Sequence, residues 1–174
     1  RLDAPAGRDT RPTSDRARES LFNVLVHHDW GIEALDGGQV LDGFCGSGAL
    51  GLEAASRGAA GVVLMDTAAA ALACARANIA ALGLGEVARA LRADVLRPPR
   101  ADAPRSLIML DPPYGKELAS RALPALVKAG WCAPGAVAVV EEGEGAPFDP
   151  GEAWELLQER RTGPAVLRFL RLSA

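Results

Sequence analysis

Two hydrophobic periods alternate along this chain. In "RPTSDRARESLFNVLVHH" (residues 11–28), Ala17, Leu21, Val24 and Leu25 recur at i, i+4, i+7 and i+8, the spacing of one helix face. Thr13 or Ser14 stands where an N-cap belongs. "GIEALDGGQ" (31–39) reads as a turn-rich connection. Beyond it, short apolar runs and helical stretches take turns. Strands are predicted over 39–42, 61–66, 87–94, 106–111 and 135–142, and helices over 49–57, 68–82 and 117–129. Gly83 ends the alanine-rich helix 68–82. In the tail, "AWELLQERRTG" and "AVLRFLRL" read as two antiparallel strands.

Strands alternating with helices predict an α/β fold, a mostly parallel sheet covered on both faces. Ligands bind such sheets beyond the carboxyl ends of the strands. Asp42, Asp66 and Asp111 end three of the predicted strands, and Asp94 ends a fourth. One strand-end aspartate is an ordinary turn former. Four at corresponding positions mark a candidate site.

Length makes this one domain: 174 residues are enough for a full core. We expect residues 15–174 to form it and residues 1–14 to be a basic leading segment. Hydrophobic residues are 49% and charged residues 24%, ordinary for a soluble globule. No apolar run approaches the roughly 20 residues of a membrane span, and the N-terminus shows no signal pattern. The chain does not open on Met and reads as trimmed or as a fragment. Cys45, Cys74 and Cys132 are isolated, so neither a disulfide framework nor a zinc site is expected, and a cytoplasmic location fits. The net charge of −3 excludes a generally basic nucleic-acid coat. Arg8, Arg11, Arg16 and Arg18 nevertheless crowd the first 18 residues, a candidate RNA or DNA contact. Arginine outnumbers lysine 17 to 2, which GC-rich coding would also produce.

"VLDGFCGSGALGLEA" contains Gly46-Ser47-Gly48-Ala49-Leu50-Gly51, literally the GxGxxG of dinucleotide sites, with Asp66 about 20 residues on. Charge argues for a different ligand. A carboxylate at Asp42, just before the loop, would repel a pyrophosphate. It suits a ligand carrying an ammonium and a sulfonium, and S-adenosylmethionine has both. Gly46 and Gly48 let the backbone approach a nucleoside closely. Asp66 can accept from two ribose hydroxyls. Asp94 can accept from the adenine amino group, with Val95 beside the ring, or can simply cap a loop.

"MLDPPYG" (109–115) then ends a buried strand on a carboxylate, two prolines and the only tyrosine. A nucleobase amine is a poor nucleophile because its lone pair is delocalised into the ring. Asp111 and the Pro112 carbonyl can accept its two N–H bonds and so aim the lone pair. Pro112 and Pro113 stiffen the turn and bring no competing N–H. Tyr114 offers a stacking face worth about 1–3 kcal/mol, for which the ring is needed and not the hydroxyl. The base would have to be flipped out of a duplex or come from a loop. A proline turn over a core tyrosine would explain the prolines but neither Asp111 nor the glycine loop.

"DGFCGSGALGLEAASRGA", Asp66, Asn78 and "DPPYG" resemble Rossmann-like class I SAM-dependent amino-methyltransferases. "RPTSDRARESLFNVL" joined to them is similar to the bacterial RsmD family, the 16S rRNA (guanine-N2)-methyltransferases. The resemblance runs from about Arg8 to the final strand. It implies a seven-stranded sheet and methyl transfer from S-adenosylmethionine to a guanine N2 in small-subunit rRNA, leaving S-adenosylhomocysteine. The implied partner is that rRNA or a partly assembled 30S particle, and no metal, no membrane and a monomer are expected. The implied cofactor residues are Asp42, Phe44, Cys45, Gly46, Ser47, Gly48, Asp66, Thr67, Asp94, Val95 and Asp111. The implied catalytic residues are Asp111, Pro112, Pro113 and Tyr114. Family members carry a basic, glycine-rich hairpin ahead of the point where this chain starts. A DNA or RNA adenine-N6 methyltransferase would use the same DPPY chemistry. An NAD-dependent oxidoreductase and a non-catalytic RNA-binding factor are the readings from other classes.

Overall fold

The computed structural model describes residues 15–174. Seven strands form one sheet in the order β3-β2-β1-β4-β5-β7-β6. These are β1 (Gln39–Gly43), β2 (Gly61–Asp66), β3 (Ala88–Arg92), β4 (Arg105–Leu110), β5 (Cys132–Gly143), β6 (Trp154–Thr162) and β7 (Ala165–Leu172). β1 to β5 pair parallel, and β7 runs antiparallel between β5 and β6. The two tail strands are therefore the expected antiparallel pair, closing an otherwise parallel sheet.

Helices cover both faces, as the alternating pattern predicts. α1 (Asp15–His27), α2 (Asp29–Leu35), α3 (Ala49–Ser56) and α4 (Ala69–Ala81) share one core with Val40, Val62, Leu64, Leu107, Met109, Val137 and Val139. α5 (Leu118–Lys128) covers the other face, against Leu41, Val63, Met65, Ile108, Leu110, Ala138 and Val140. Alternate residues of each strand thus point into opposite cores. The predicted apolar face of α1 is buried, with Phe22 added to it. Its candidate caps, Thr13 and Ser14, lie outside the described residues.

Three expectations need correction. The segment expected to be a turn-rich connection contains α2. Its last turn is pinned by Ser106 at the start of β4, whose hydroxyl donates to the Ala34 carbonyl at 2.8 Å. β3 stops at Arg92, so Asp94 lies in the following loop rather than at a strand end. Asp42 lies inside β1, one residue before its end.

Candidate active site

Strand register lines up the acids. Asp42 pairs with Met109 and Gly43 with Leu110, so Asp111 stands one residue beyond β4 at the same edge. Asp66 follows Met65, the partner of Gly43. Asp42, Asp66 and Asp111 share the parity of Val40, Leu64 and Met109, and hence one face of the sheet. β1 and β4 are neighbours in the sheet although β2 and β3 lie between them along the chain. The glycine loop and the DPPY turn therefore open side by side at the switch point of the sheet.

Asp42 is 1% exposed, and its Oδ2 accepts the Gly51 N–H at 2.8 Å. It thus ties β1 to the first turn of α3. Its second oxygen, Oδ1, is the one not committed to Gly51. Burial drives its carboxyl well above the usual aspartate range; the Gly51 N–H opposes this, and the charges of Asp111 and Asp66 add to it. The loop after it is held in an unusual backbone shape. Phe44, Gly46 and Gly48 have φ of 59°, 53° and 84°. A Cβ on Gly48 would come within 2.7 Å of Leu64 Cδ1, whereas one on Gly46 would meet nothing within 4 Å. Gly48 is therefore needed for packing, and Gly46 faces open space. The Gly46 N–H donates to Asp66 Oδ2 at 3.0 Å, and the Ala68 N–H donates to Asp66 Oδ1 at 2.9 Å. Each carboxylate oxygen keeps a second lone pair for a ligand. Asn78 Nδ2 donates to the Ser47 carbonyl at 3.1 Å, bracing the loop from α4. Cys45 is buried, and burial, with the charges of Asp42 and Asp66, pushes its thiol far up and keeps it unreactive.

Other candidate residues are less central. Asp94 Oδ1 accepts the Leu96 N–H at 2.9 Å, which is the loop-cap role. Val95 is 2% exposed, and its methyls would lie 3.3 Å from a Cβ on Gly43, so it supports the site from beneath. Thr67 is exposed, and its carbonyl accepts from Arg92 Nε at 3.3 Å. Arg16 is exposed at the start of α1, and Arg18 pairs with Asp15 at 2.8 Å. Arg8 and Arg11 lie outside the described residues.

In the DPPY turn, Pro112 is buried, Pro113 is exposed, and Asp111 and Tyr114 are half-buried. The Tyr114 hydroxyl donates to Glu141 Oε1 at 3.0 Å. Glu141 escaped the sequence reading. The signal for it was "VVEE", a continuous apolar run ending in two acids on a central strand. Burial raises the carboxyls of both; the Tyr114 hydroxyl opposes this at Glu141, and Arg168 opposes it at Glu142 while Glu117 adds to it.

Raised carboxyls give stability a pH slope. From the ordinary carboxylate pKa of about 4 upward, the folded chain holds protons that the unfolded chain has released, so stability falls as pH rises. Asp42→Asn removes one such group while keeping an acceptor for Gly51. It should raise Tm at pH 8 and flatten the decline between pH 5 and pH 8. Thermal melts at the two pH values check this, and an unchanged slope would clear Asp42 of the effect.

Comparison with known proteins completes the picture. The family model described as conserved hypothetical protein 95 matches residues 1–171. Ribosomal RNA small subunit methyltransferase D of Escherichia coli K12 is 34% identical over 177 residues, covering 100% of this chain and 85% of that protein. The protein of the same name from Haemophilus influenzae is 34% identical over 163 residues, covering 91% and 81%. The solved Escherichia coli protein yhhF superposes with a TM-score of 0.82 at 34% identity, over 99% of this chain and 92% of that one. An RNA methyltransferase from Salinibacter ruber, solved with S-adenosyl-L-homocysteine, shares the fold at a TM-score of 0.70 and 16% identity, over 93% and 94% of the two chains.

Proposed function

The chain belongs to the RsmD family, described as conserved hypothetical protein 95, and on that premise we propose that it methylates small-subunit ribosomal RNA from S-adenosylmethionine. The finer reading is transfer to the exocyclic N2 of a guanine. The observation that carries it is the adjacency of β1 and β4, which opens the glycine loop and the DPPY turn beside one another. A methyl donor on the first then meets an amine on the second.

The residues suit such a donor. Gly46 fronts open space, and the acids Asp42, Asp66 and Asp111 gather at one edge of the sheet. Phe44, Cys45, Gly46, Ser47 and Gly48 would form its cradle, with Asp66 and Thr67 at the ribose and Asp94 and Val95 toward the adenine. When bound, S-adenosylmethionine supplies an electrophilic methyl on a positively charged sulfur. Asp111 and the Pro112 carbonyl accept the two N–H bonds of the guanine amine, so its lone pair faces the methyl. As the methyl passed to nitrogen and its electron pair stayed on sulfur, the Asp111 carboxylate would accept the proton that the nitrogen sheds. Positioning of this kind is a large part of any rate gain. Tyr114 stacks on the base, and Arg8, Arg11, Arg16 and Arg18 contact phosphates near the start of the domain.

Incubating unmethylated 30S particles with the protein and S-adenosylmethionine, then digesting the rRNA to nucleosides, tests the proposal. N2-methylguanosine is expected. N6-methyladenosine would install the adenine reading instead, and no methylated nucleoside would overturn both.

A further inference from the structure

Tyr114 sits in the turn between β4 and α5, where Pro112 and Pro113 restrict the backbone but not the rotation of its ring. Gly115 and Glu117 there take φ of 83° and 49°, and no regular hydrogen-bonded element spans the turn. The anchors come instead from β5. Val140 pairs with Leu110, so Glu141 stands beside Asp111 across the β4–β5 pair. Glu141 shares the parity of Val137 and Val139, the face that also carries Asp42, Asp66 and Asp111. Its Oε1 accepts the Tyr114 hydroxyl at 3.0 Å. At the other end of the ring, a Cβ on Gly143 would lie 3.7 Å from Cγ and Cδ2. β5 thus accepts from the Tyr114 hydroxyl and leaves room beside its ring at Gly143.

The glutamate is a costly choice for this task. Glu141 is 6% exposed, and its Oε2 is buried without a hydrogen-bond partner. A buried, half-satisfied carboxyl destabilises a fold. An apolar residue in the middle of this strand end would pack better, as Val139 and Val140 do. What the carboxyl adds is an acceptor for the Tyr114 hydroxyl, which no apolar residue supplies. We propose that Glu141 is a positioning residue for base recognition, locking the Tyr114 ring in the orientation that stacks on the target base. This rests on the rRNA methyltransferase reading. It also revises the expectation that only the ring matters: the hydroxyl is the handle by which β5 holds it.

A double-mutant cycle separates this role from simple folding support. Glu141→Ala and Tyr114→Phe should each lower single-turnover methylation of 30S particles about tenfold, the size of one hydrogen bond. Affinity for S-adenosylmethionine, measured by calorimetry, should not change. The double variant should be no slower than the slower single one, and Glu141→Gln, which keeps an acceptor oxygen, should recover most of the rate. Because Tyr114 is the only tyrosine, ring-labelled tyrosine gives one set of NMR signals. Those signals should shift in Glu141→Ala and stay near the parent in Glu141→Gln. Losses that multiply in the double variant, or ring signals that ignore Glu141→Ala, would overturn the proposal. If the parent enzyme left rRNA unmethylated, the functional reading would fall, and the tyrosine signals would still decide whether Glu141 holds the ring.

Discussion

Asp111→Ala should lower methyl transfer to rRNA by about 10²–10³-fold while leaving affinity for S-adenosylmethionine within a few-fold of the parent. The size follows from where the side chain stands. Asp111 lies one residue past the buried end of β4, beside the end of β1, with the DPPY turn directing the chain away from the sheet. There it can orient the amine and take up its proton, two tasks that arise as the N–C bond forms. The glycine loop proposed as the cofactor cradle follows β1 and is braced by Asp66 and Asn78, with no hydrogen bond from Asp111 among these braces. Asp111→Asn should keep part of the activity, because its side-chain carbonyl still accepts one N–H. Single-turnover methylation of 30S particles, run beside calorimetric titration, separates the two quantities. Methylation by Asp111→Ala at the parent rate would reduce Asp111 to a turn residue and remove the mechanism, whatever the family.

The second large effect is on stability. Gly31→Ala should cost about 3 kcal/mol and lower Tm by roughly 6–12 °C. Gly31 is buried in α2, where a Cβ would overlap the Leu25 carbonyl oxygen and come within 2.6 Å of its Cα and 2.8 Å of its C. Those are backbone atoms of α1, so relief requires the two helices to separate. Leu21, Val24 and Leu25 would then lose packing in the core that supports the glycine loop. Gly37→Ala is the control. Gly37 has φ of 68° with nothing within 4 Å of an added Cβ, so only backbone strain of about 1–2 kcal/mol is expected. Equal melting temperatures for the two variants would show that helix contact at Gly31 is not limiting.

Much of this molecule was legible as periodicity. The apolar face of α1, the strands β1, β2 and β4, the alanine-rich α4 and the antiparallel tail each follow from residues within one or two turns of one another. Chemistry was legible where it is local: Gly46 and Gly48 with Asp66, and Asp111 with Tyr114, stand in short recognisable runs. A chain alone determines these, because steric preference and amphipathicity act between near neighbours. Only the tertiary structure decided the rest. α2 reads as turns until Ser106, 72 residues from Ala34, donates to a carbonyl of its last turn. Asp42 reads as a strand-end acid, and its bond to Gly51 and its burial inside β1 emerge only in the fold. The tie between Tyr114 and Glu141 crosses 27 residues and exists because β4 and β5 pair in one register, which carries Asp111 and Glu141 to the same level. Burial and long-range hydrogen bonds are properties of strand register and helix docking, and no local pattern contains them.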